Sequence, residues 1–413
     1  MKIVICIPSL NGHYVDSGIS YIAIYDTNNQ TYEDYPINLV DFNKLPLPNL
    51  DSDVFLVYNK RLFDKFYPNN ISYDLETEFW INNLSLDKSL LDFKKFYYFY
   101  RRSDYYRFIP YPILKDSCQK FLEDVSKILV KLVPTKASDF YRTIVYPTIE
   151  MIESNGMQID LEKFNNNFNK KYVTNIVRSY YNIHTSTGRP SNTFDNVNYL
   201  ALSKKDETRN SFISRFKNGY LVEYDFDSYH LRLIGKMVGV DFSKVDSVHT
   251  ALAKEYFNKE DISEEDYLNS KKLSFLMLYK DSDELIKSYD FEFFNKVNTL
   301  KSSILKEYEE NGYLESKISG RKLVLDTNYD KSKLFNYFIQ MMETEFSMLF
   351  IYDISKILKD KLSKIILYTY DSILIDFNPL DGENTLRAIE NNLLKTKISK
   401  GTNYKDMMRI SLS

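Results

Sequence analysis

The sequence predicts a multidomain chain, an N-terminal α/β domain over residues 1–135 followed by a larger α+β domain over residues 136–413. Three observations predict it. The length of 413 residues, with 44% hydrophobic and 27% charged residues, is enough to bury more than one core. Short apolar runs with strand character precede helically spaced segments in the first third. Beyond residue 136, long helical patterns bracket two isolated apolar strands, each running into an aspartate.

Strands are expected at Lys2–Pro8, Gly18–Tyr25 and Asp53–Tyr58, each bounded by turn residues. Helical spacing with charged faces follows at Leu90–Tyr100 and Asp116–Leu132, and Pro134 with Ser138 marks a joint. Apolar residues recur at helical intervals from Phe140 to Asn155, where Asn155-Gly156 closes the helix before a strand at Met157–Asp160. A helix-poor segment surrounds Thr187-Gly188-Arg189. A strand at Tyr220–Tyr224, helices from Tyr229 to about Glu309 and a hairpin at Tyr313–Leu325 come next. A helix from Lys331 to about Lys361 then leads into a strand-turn-strand over Ile365–Asp376.

Composition excludes several classes. The net charge of −3 and a pI near 6.0 give no overall basic field, so contact with nucleic acid must come from local patches. Two cysteines, Cys6 and Cys118, make no disulfide framework and fit a reducing, cytoplasmic setting. Four histidines without a Cys-x-x-Cys make a structural zinc site improbable. The apolar run at Ile3–Pro8 is too short for a signal peptide, and no stretch is long enough to span a membrane.

Asp225 follows the strand Tyr220–Tyr224, and Asp371 sits at the turn between Ile365–Tyr370 and Ser372–Ile375. Either one alone reads as a turn residue. If their strands are neighbours, the pair becomes a hard-oxygen site suited to two Mg²⁺ ions, or Mn²⁺ in their place, in phosphoryl transfer. Tyr267, Lys271, Phe275 and Tyr279 fall four apart and share one helix face. An aromatic core stripe is the commoner fate of that spacing, but Lys271 within it favours a ligand-facing surface, with its charge available to a triphosphate.

The residues around these positions resemble the motifs of family A, Pol I-like DNA polymerases, in order over residues 140–413. Asp225-Phe-Asp-Ser-Tyr-His-Leu-Arg232 resembles motif A, Lys271 through Tyr279 motif B, and Tyr368-Thr-Tyr-Asp371-Ser372 motif C. Thr187-Gly188-Arg189-Pro190-Ser191, Asn196-Val-Asn198, Val248-His249-Thr-Ala-Leu-Ala253, Gly312-Tyr-Leu-Glu through Arg321, Asn336-x-x-x-Gln340 and Gly401-Thr-Asn-Tyr404 are similar to further segments of that family. The resemblance implies a right-hand polymerase, with a palm at 187–235 and 312–413, fingers at 236–311 and a shortened thumb at 160–186. It implies that Asp225, the Phe226 carbonyl and Asp371 hold metal, with Lys271 catalytic. His249, Lys271, Phe275, Tyr279 and His230 would meet the dNTP. Arg189, Asn196, Arg321, Asn336 and Gln340 would meet primer-template DNA. Residues 1–135 resemble a degenerate RNase H-like 3′–5′ exonuclease-type domain: Tyr73-Asp74-x-x-Thr77-x-x-Trp80 is similar to one of its segments, but Val4–Asn11 carries no carboxylate. Asn59–Asp64 is what remains of its second motif, and Tyr100 with Asp104, or else Asp116 after Tyr111, of its third, so no proofreading is expected.

The pattern departs from the family at four places. His230 stands where motif A usually has the Glu that closes the pocket against a ribose hydroxyl. Tyr267 stands where motif B has its first Arg, leaving Lys272 or Lys280 to replace it. Leu276 replaces a Gly, and Ser372 the motif C Glu. The interval 160–186 offers Lys170, Lys171 and Arg178 for few phosphate contacts, which predicts weak, salt-dependent, poorly processive binding and a tethering replisome partner. An RNA polymerase or primase-like enzyme, and a catalytically silent DNA-binding scaffold, remain as alternatives.

Overall fold

The computed structural model describes residues 1–9, 12–37, 46–50, 54–84, 92–96, 110–192, 197–205, 207–279, 292–325 and 329–412. They form two units, one of Met1–Glu150 with Ser319–Arg321, the other of Met151–Ile318 with Lys322–Ser413.

The first unit is built on a five-stranded sheet of β1 (Lys2–Pro8), β2 (Ile19–Asp26), β3 (Thr31–Pro36), β4 (Val54–Tyr58) and β5 (Ile71–Asp74), in the order β3-β2-β1-β4-β5. β1 pairs antiparallel with β2 and parallel with β4. Its near-continuous apolar sequence suits a central strand covered on both faces, and Ile3–Ile7 are buried throughout. The helix Tyr111–Lys127 lays Leu114, Cys118, Phe121, Leu122 and Val125 on the sheet residues Ile3, Ile5 and Leu56. Both cysteines are buried free thiols.

The boundary between units falls at Glu150, later than the joint expected at 135. Thr135 and Ser138 form a capping box that starts a helix, so the apparent linker is a helix N-terminus. The residues after it bind the first unit: Ser138 Oγ donates to Glu78 at 2.7 Å, Tyr73 Oη donates to Asp139 at 2.8 Å, and the Thr77 and Tyr146 hydroxyls lie 2.9 Å apart. Burial first of all pushes Glu78 up to about 7.

The second unit is organised by an antiparallel sheet of β6 (Tyr220–Phe226), β7 (Lys364–Tyr368), β8 (Ser372–Phe377), β9 (Thr396–Gly401) and β10 (Met408–Ile410), in the order β7-β8-β6-β9-β10. β6 is central, and Asp225 lies opposite Ser372 of β8 on one side and Lys397 of β9 on the other. The fully buried Asp376 locks β8, accepting from Ser214 Oγ (2.6 Å), Arg215 Nε (2.8 Å) and Arg215 N (3.1 Å). Arg215 also donates to the carbonyls of Asn155 and Gly156, the full partnering a buried ion pair needs.

Helices Tyr229–Val238, Val248–Phe257, Glu264–Tyr279, Glu292–Asn311 and Lys331–Ile357 share a core that includes Ile234, Leu252, Met277, Phe294, Val297 and Phe335. Residues 160–186 hold one eight-residue helix, Leu161–Phe168, whose Phe164 enters a cluster with Ile159, Phe212 and Tyr404. Arg178 donates to the carbonyls of Glu153 and Ser154, so it caps a helix and does not offer itself to a phosphate as expected. No helix among the described residues is long and apolar enough to cross a membrane.

Candidate active site

Asp225 is the penultimate residue of β6, and the chain then turns at Ser228, left-handed at φ 51°, into the helix Tyr229–Val238. Arg232 holds this turn, its Nη2 lying 2.9 Å from Asp227 and its Nε donating to the Asp227 carbonyl at 2.8 Å. The Lys397 ammonium stands 2.6 Å from the other Asp227 oxygen. Burial would raise Asp227, but the hydrogen bonds from Lys397 and Arg232 outweigh it and hold the acid below its ordinary range. Asp227 is therefore the anchored acid of the motif.

Asp371 comes from the β7–β8 turn. Its N–H donates to the Thr369 carbonyl at 2.6 Å, which closes a three-residue turn around Tyr370 at φ 62°. A tyrosine rarely adopts that conformation, and such strain collects where a neighbouring side chain must be aimed. Phe226 N donates to the Asp371 carbonyl at 2.8 Å, so the two strand ends that the sequence left apart are joined. Burial foremost, then the charges of Asp371 and Glu223, push Asp225 up to about 6. Burial likewise raises Asp371, with Glu343 and Glu223 adding repulsion. Two desolvated carboxylates that resist ionising side by side have the electrostatics of a cation site.

Among the described residues no three His, Cys, Asp or Glu side chains converge as a metal cluster. Two carboxylates with a backbone carbonyl nevertheless fit Mg²⁺, which keeps several waters and takes the remaining oxygens from phosphates. The Lys204 ammonium lies 3.9 Å from Asp225 and 4.0 Å from Glu223, a protein cation drawn to the same charge.

A cavity of about 370 Å³ opens over the pair, lined by Arg189, Asp225, Phe226, His230, His249, Tyr267, Lys271, Phe275, Glu343, Asp371 and Lys397 among others. The helix Glu264–Tyr279 divides its faces cleanly. Ser270, Ser274, Met277 and Leu278 are buried, with Ser270 Oγ donating to the His249 carbonyl at 2.8 Å, whereas Phe275 is 44% exposed. The Tyr267–Lys271–Phe275 stripe is thus a cavity wall. Tyr279 stands behind it, its hydroxyl hydrogen-bonded to His230 Nδ1. Burial, then the charge of Lys271, lowers His249 to about 4, so this histidine faces the cavity as a neutral donor.

Arg189 is aimed by a tight turn in which Gly188 takes φ 75° and Thr185 Oγ1 donates to the Arg189 carbonyl at 2.8 Å. Its guanidinium lies 3.9 Å over the Tyr370 ring. Asn336 and Gln340 pair with each other at 3.1 Å on the helix Lys331–Ile357, outside the cavity lining. Asn196, Lys280, Tyr100 and Asp104 lie outside the described residues.

Two expectations need correction. Arg321 is only 3% exposed, and its guanidinium sits 4.7 Å over the Trp80 ring within the first unit, so it offers no surface to a primer backbone. Lys272 does not reach the cavity, which takes its further cation from Lys397. The sequence reading also passed over Glu223, two residues before Asp225 and so on the same face of β6. It accepts from Ser372 Oγ at 3.2 Å and Tyr404 Oη at 3.0 Å, which places a carboxylate beside the serine where motif C has its Glu.

The raised Asp225 has a stability consequence in the metal-free protein. A carboxyl whose folded value exceeds its unfolded one favours folding below the unfolded value, near 4, and loses that contribution as pH rises through about 6. Asp225→Asn is expected to stabilise the Mg²⁺-free fold near neutral pH by about 1 kcal/mol, after discounting for its 38% exposure. Thermal unfolding of the two proteins should show the gain near neutrality and its disappearance below about pH 4.

Taken with the sheet and helices that carry it, this arrangement has the fold of a family A polymerase domain. The POL domain of Pol1 from M. smegmatis, solved in complex with DNA primer-template and dNTP, matches over 98% of this chain and 96% of its own, with a TM-score of 0.73 at 12% identity. At that identity the likeness is one of fold. No family model and no curated protein sequence matches the chain.

Proposed function

We propose that the chain is a template-directed DNA polymerase that adds dNTPs to a primer 3′ end. The observation that carries this reading is the meeting of Asp225 and Asp371 at joined strand ends, in a cavity that also holds Lys271. The likeness in fold to a polymerase domain supports it. Asp225, Asp371 and the Phe226 carbonyl would hold two Mg²⁺ ions, or Mn²⁺, which supply activation of the primer hydroxyl and neutralisation of the leaving oxygens. The primer 3′ oxygen bonds to the α-phosphorus as the bond to the bridging oxygen breaks and pyrophosphate leaves. Lys271 and Lys397 offset triphosphate charge, and His249 adds a neutral N–H. Phe275 and Tyr279 bound the sugar and base. Arg189 reads the primer end, with Asn336 and Gln340 on the template side.

Primer extension on a primed template with Mg²⁺, by the wild type beside Asp225→Asn and Asp371→Asn, tests the reading. Primer binding without extension by the wild type would sink it in favour of a silent scaffold.

The 160–186 segment and the loss of Arg178 to a helix end support weak DNA binding through few phosphates, and hence a tethering partner. Affinity for primer-template is expected to fall about 10- to 100-fold between about 50 and 200 mM salt. Fluorescence anisotropy across that range measures it, and long products per encounter at the upper end would refute low processivity. The N-terminal domain is proposed to lack proofreading. Its opening strand has no acid, Asp74 caps a helix through Thr77 N, and Asp64 is tied to Lys60 and Ser72. A mismatched 3′ nucleotide should stay on the primer; its release, lost on mutating Asp64 or Asp116, would overturn this.

A further inference from the structure

Among the described residues, Glu343 is the cavity acid that the proposed chemistry leaves without a task. It projects from the helix Lys331–Ile357 and is only 2% exposed, yet it belongs to the cavity lining. Its position is fixed, because the Tyr229 hydroxyl donates to its backbone carbonyl at 3.2 Å and bonds the Ser347 hydroxyl at 2.9 Å. Its Oε2 lies 3.2 Å from His230 Nε2 and 3.5 Å from Arg189 Nε. Neither approach completes a hydrogen bond, since Glu343 Oε2 and Arg189 Nε both lack a hydrogen-bond partner among the described residues. Leaving a buried carboxylate oxygen without a donor forfeits its hydration with nothing in return. Such a group needs a reason to be kept, and a ligand that supplies the missing donor is one.

The surroundings narrow the ligand. A phosphate would be repelled by the carboxylate, and Lys271 and Lys397 already provide for it. A cation is not called for, because the Arg189 guanidinium already flanks Glu343. A neutral donor remains. His230 is tied on its other nitrogen to Tyr279, while Glu343 faces its Nε2 at 3.2 Å, with the aromatic face of Phe275 6.1 Å from Tyr279 by ring centroids. The neutral donors a nucleotide carries between its base and its phosphates are its sugar hydroxyls.

We propose that Glu343 is the residue that recognises a sugar hydroxyl of the incoming nucleotide, and that it does so together with the His230 ring beside it. The inference rests on the polymerase reading above and deepens it. It supplies a carboxylate to the sugar from a different helix, at a site where motif A has given up its own.

Single-nucleotide incorporation with dNTP, 2′,3′-dideoxynucleotide and rNTP separates the two hydroxyls, in the wild type, Glu343→Gln and Glu343→Leu. The ratio of kcat/KM for dNTP over dideoxynucleotide reads the 3′ hydroxyl, and that for dNTP over rNTP reads the 2′ hydroxyl. At least one ratio is expected to shift about 10-fold or more in Glu343→Leu, carried mainly by KM, with a smaller shift in Glu343→Gln, which keeps an acceptor. His230→Ala should move the same ratio, and adding Glu343→Leu to it should move it little further. A uniform loss for all three nucleotides, with both ratios within about twofold of wild type, assigns Glu343 a structural role and overturns the proposal. A wild type that incorporates none of the three removes the polymerase reading itself, and the proposal with it.

Discussion

Primer extension by Asp371→Asn is expected to fall at least about 10³-fold, and by Asp225→Asn comparably, while primer-template affinity stays within a few-fold of wild type. In the proposed reading each carboxylate is one of the two side chains that would hold Mg²⁺ at the joined ends of β6 and β8, and an amide offers a neutral oxygen in place of a charged one. The loss should therefore fall on kcat, the quantity that reports interactions formed in the transition state. Rapid-quench single-turnover measurement reads it directly. The accompanying sign of stability makes the test sharper. Relief of the burial of the Asp225 charge first, and then of its repulsion by Asp371 and Glu223, makes Asp225→Asn fold at least as well as the wild type without metal. A dead but unfolded variant would not answer the question, whereas a dead and stabilised one would. Extension at wild-type rate by either variant would leave the carboxylate pair without the role assigned to it.

Much of this site could be read before the fold was known, and the reasons lie in local spacing. β6 and the β7–β8 hairpin are short apolar runs ended by turn chemistry, so Asp225 and Asp371 were visible as strand-end acids, although their adjacency was not. Tyr267, Lys271, Phe275 and Tyr279 were legible because four-residue steps survive as a face of any helix. Lys397 was hidden in β9, whose polar run Thr396–Gly401 looks like a solvated loop until pairing with β6 brings Lys397 beside Asp225. Glu343 gave even less signal. One acid in a long helix normally marks the wet face, and only the burial of that helix on more than one side, with His230 and Arg189 arriving from distant segments, turns it inward. Arg321 erred in the opposite sense: a hairpin arginine reads as a phosphate contact, and packing against Trp80 consumed it. The compact units divide at Glu150, past the joint read at 135, because Thr135-x-x-Ser138 is both loop-like in composition and a helix cap.

Lys271→Ala is expected to lower kcat on the order of 10²- to 10³-fold, and the response of Lys271→Arg then says why. Lys271 lies on the exposed side of the helix Glu264–Tyr279 and lines the cavity with no hydrogen-bond or ion-pair partner among the described residues. Its positive charge is felt by His249, which it helps to keep neutral. A triphosphate entering the cavity would meet this ammonium as a point charge on a flexible stem. An arginine retains the charge but holds its proton too tightly to release it, with a pKa above about 12. If Lys271 acts only by offsetting phosphate charge, Lys271→Arg should recover most of kcat and lower KM toward wild type. If it also protonates the departing pyrophosphate oxygen, Lys271→Arg should restore KM while kcat remains depressed, and the basic limb of the wild-type pH–rate profile should be absent from the variant. A wild-type kcat in Lys271→Ala would leave neither role standing, and the charge in the cavity would then have to come from Lys397 alone.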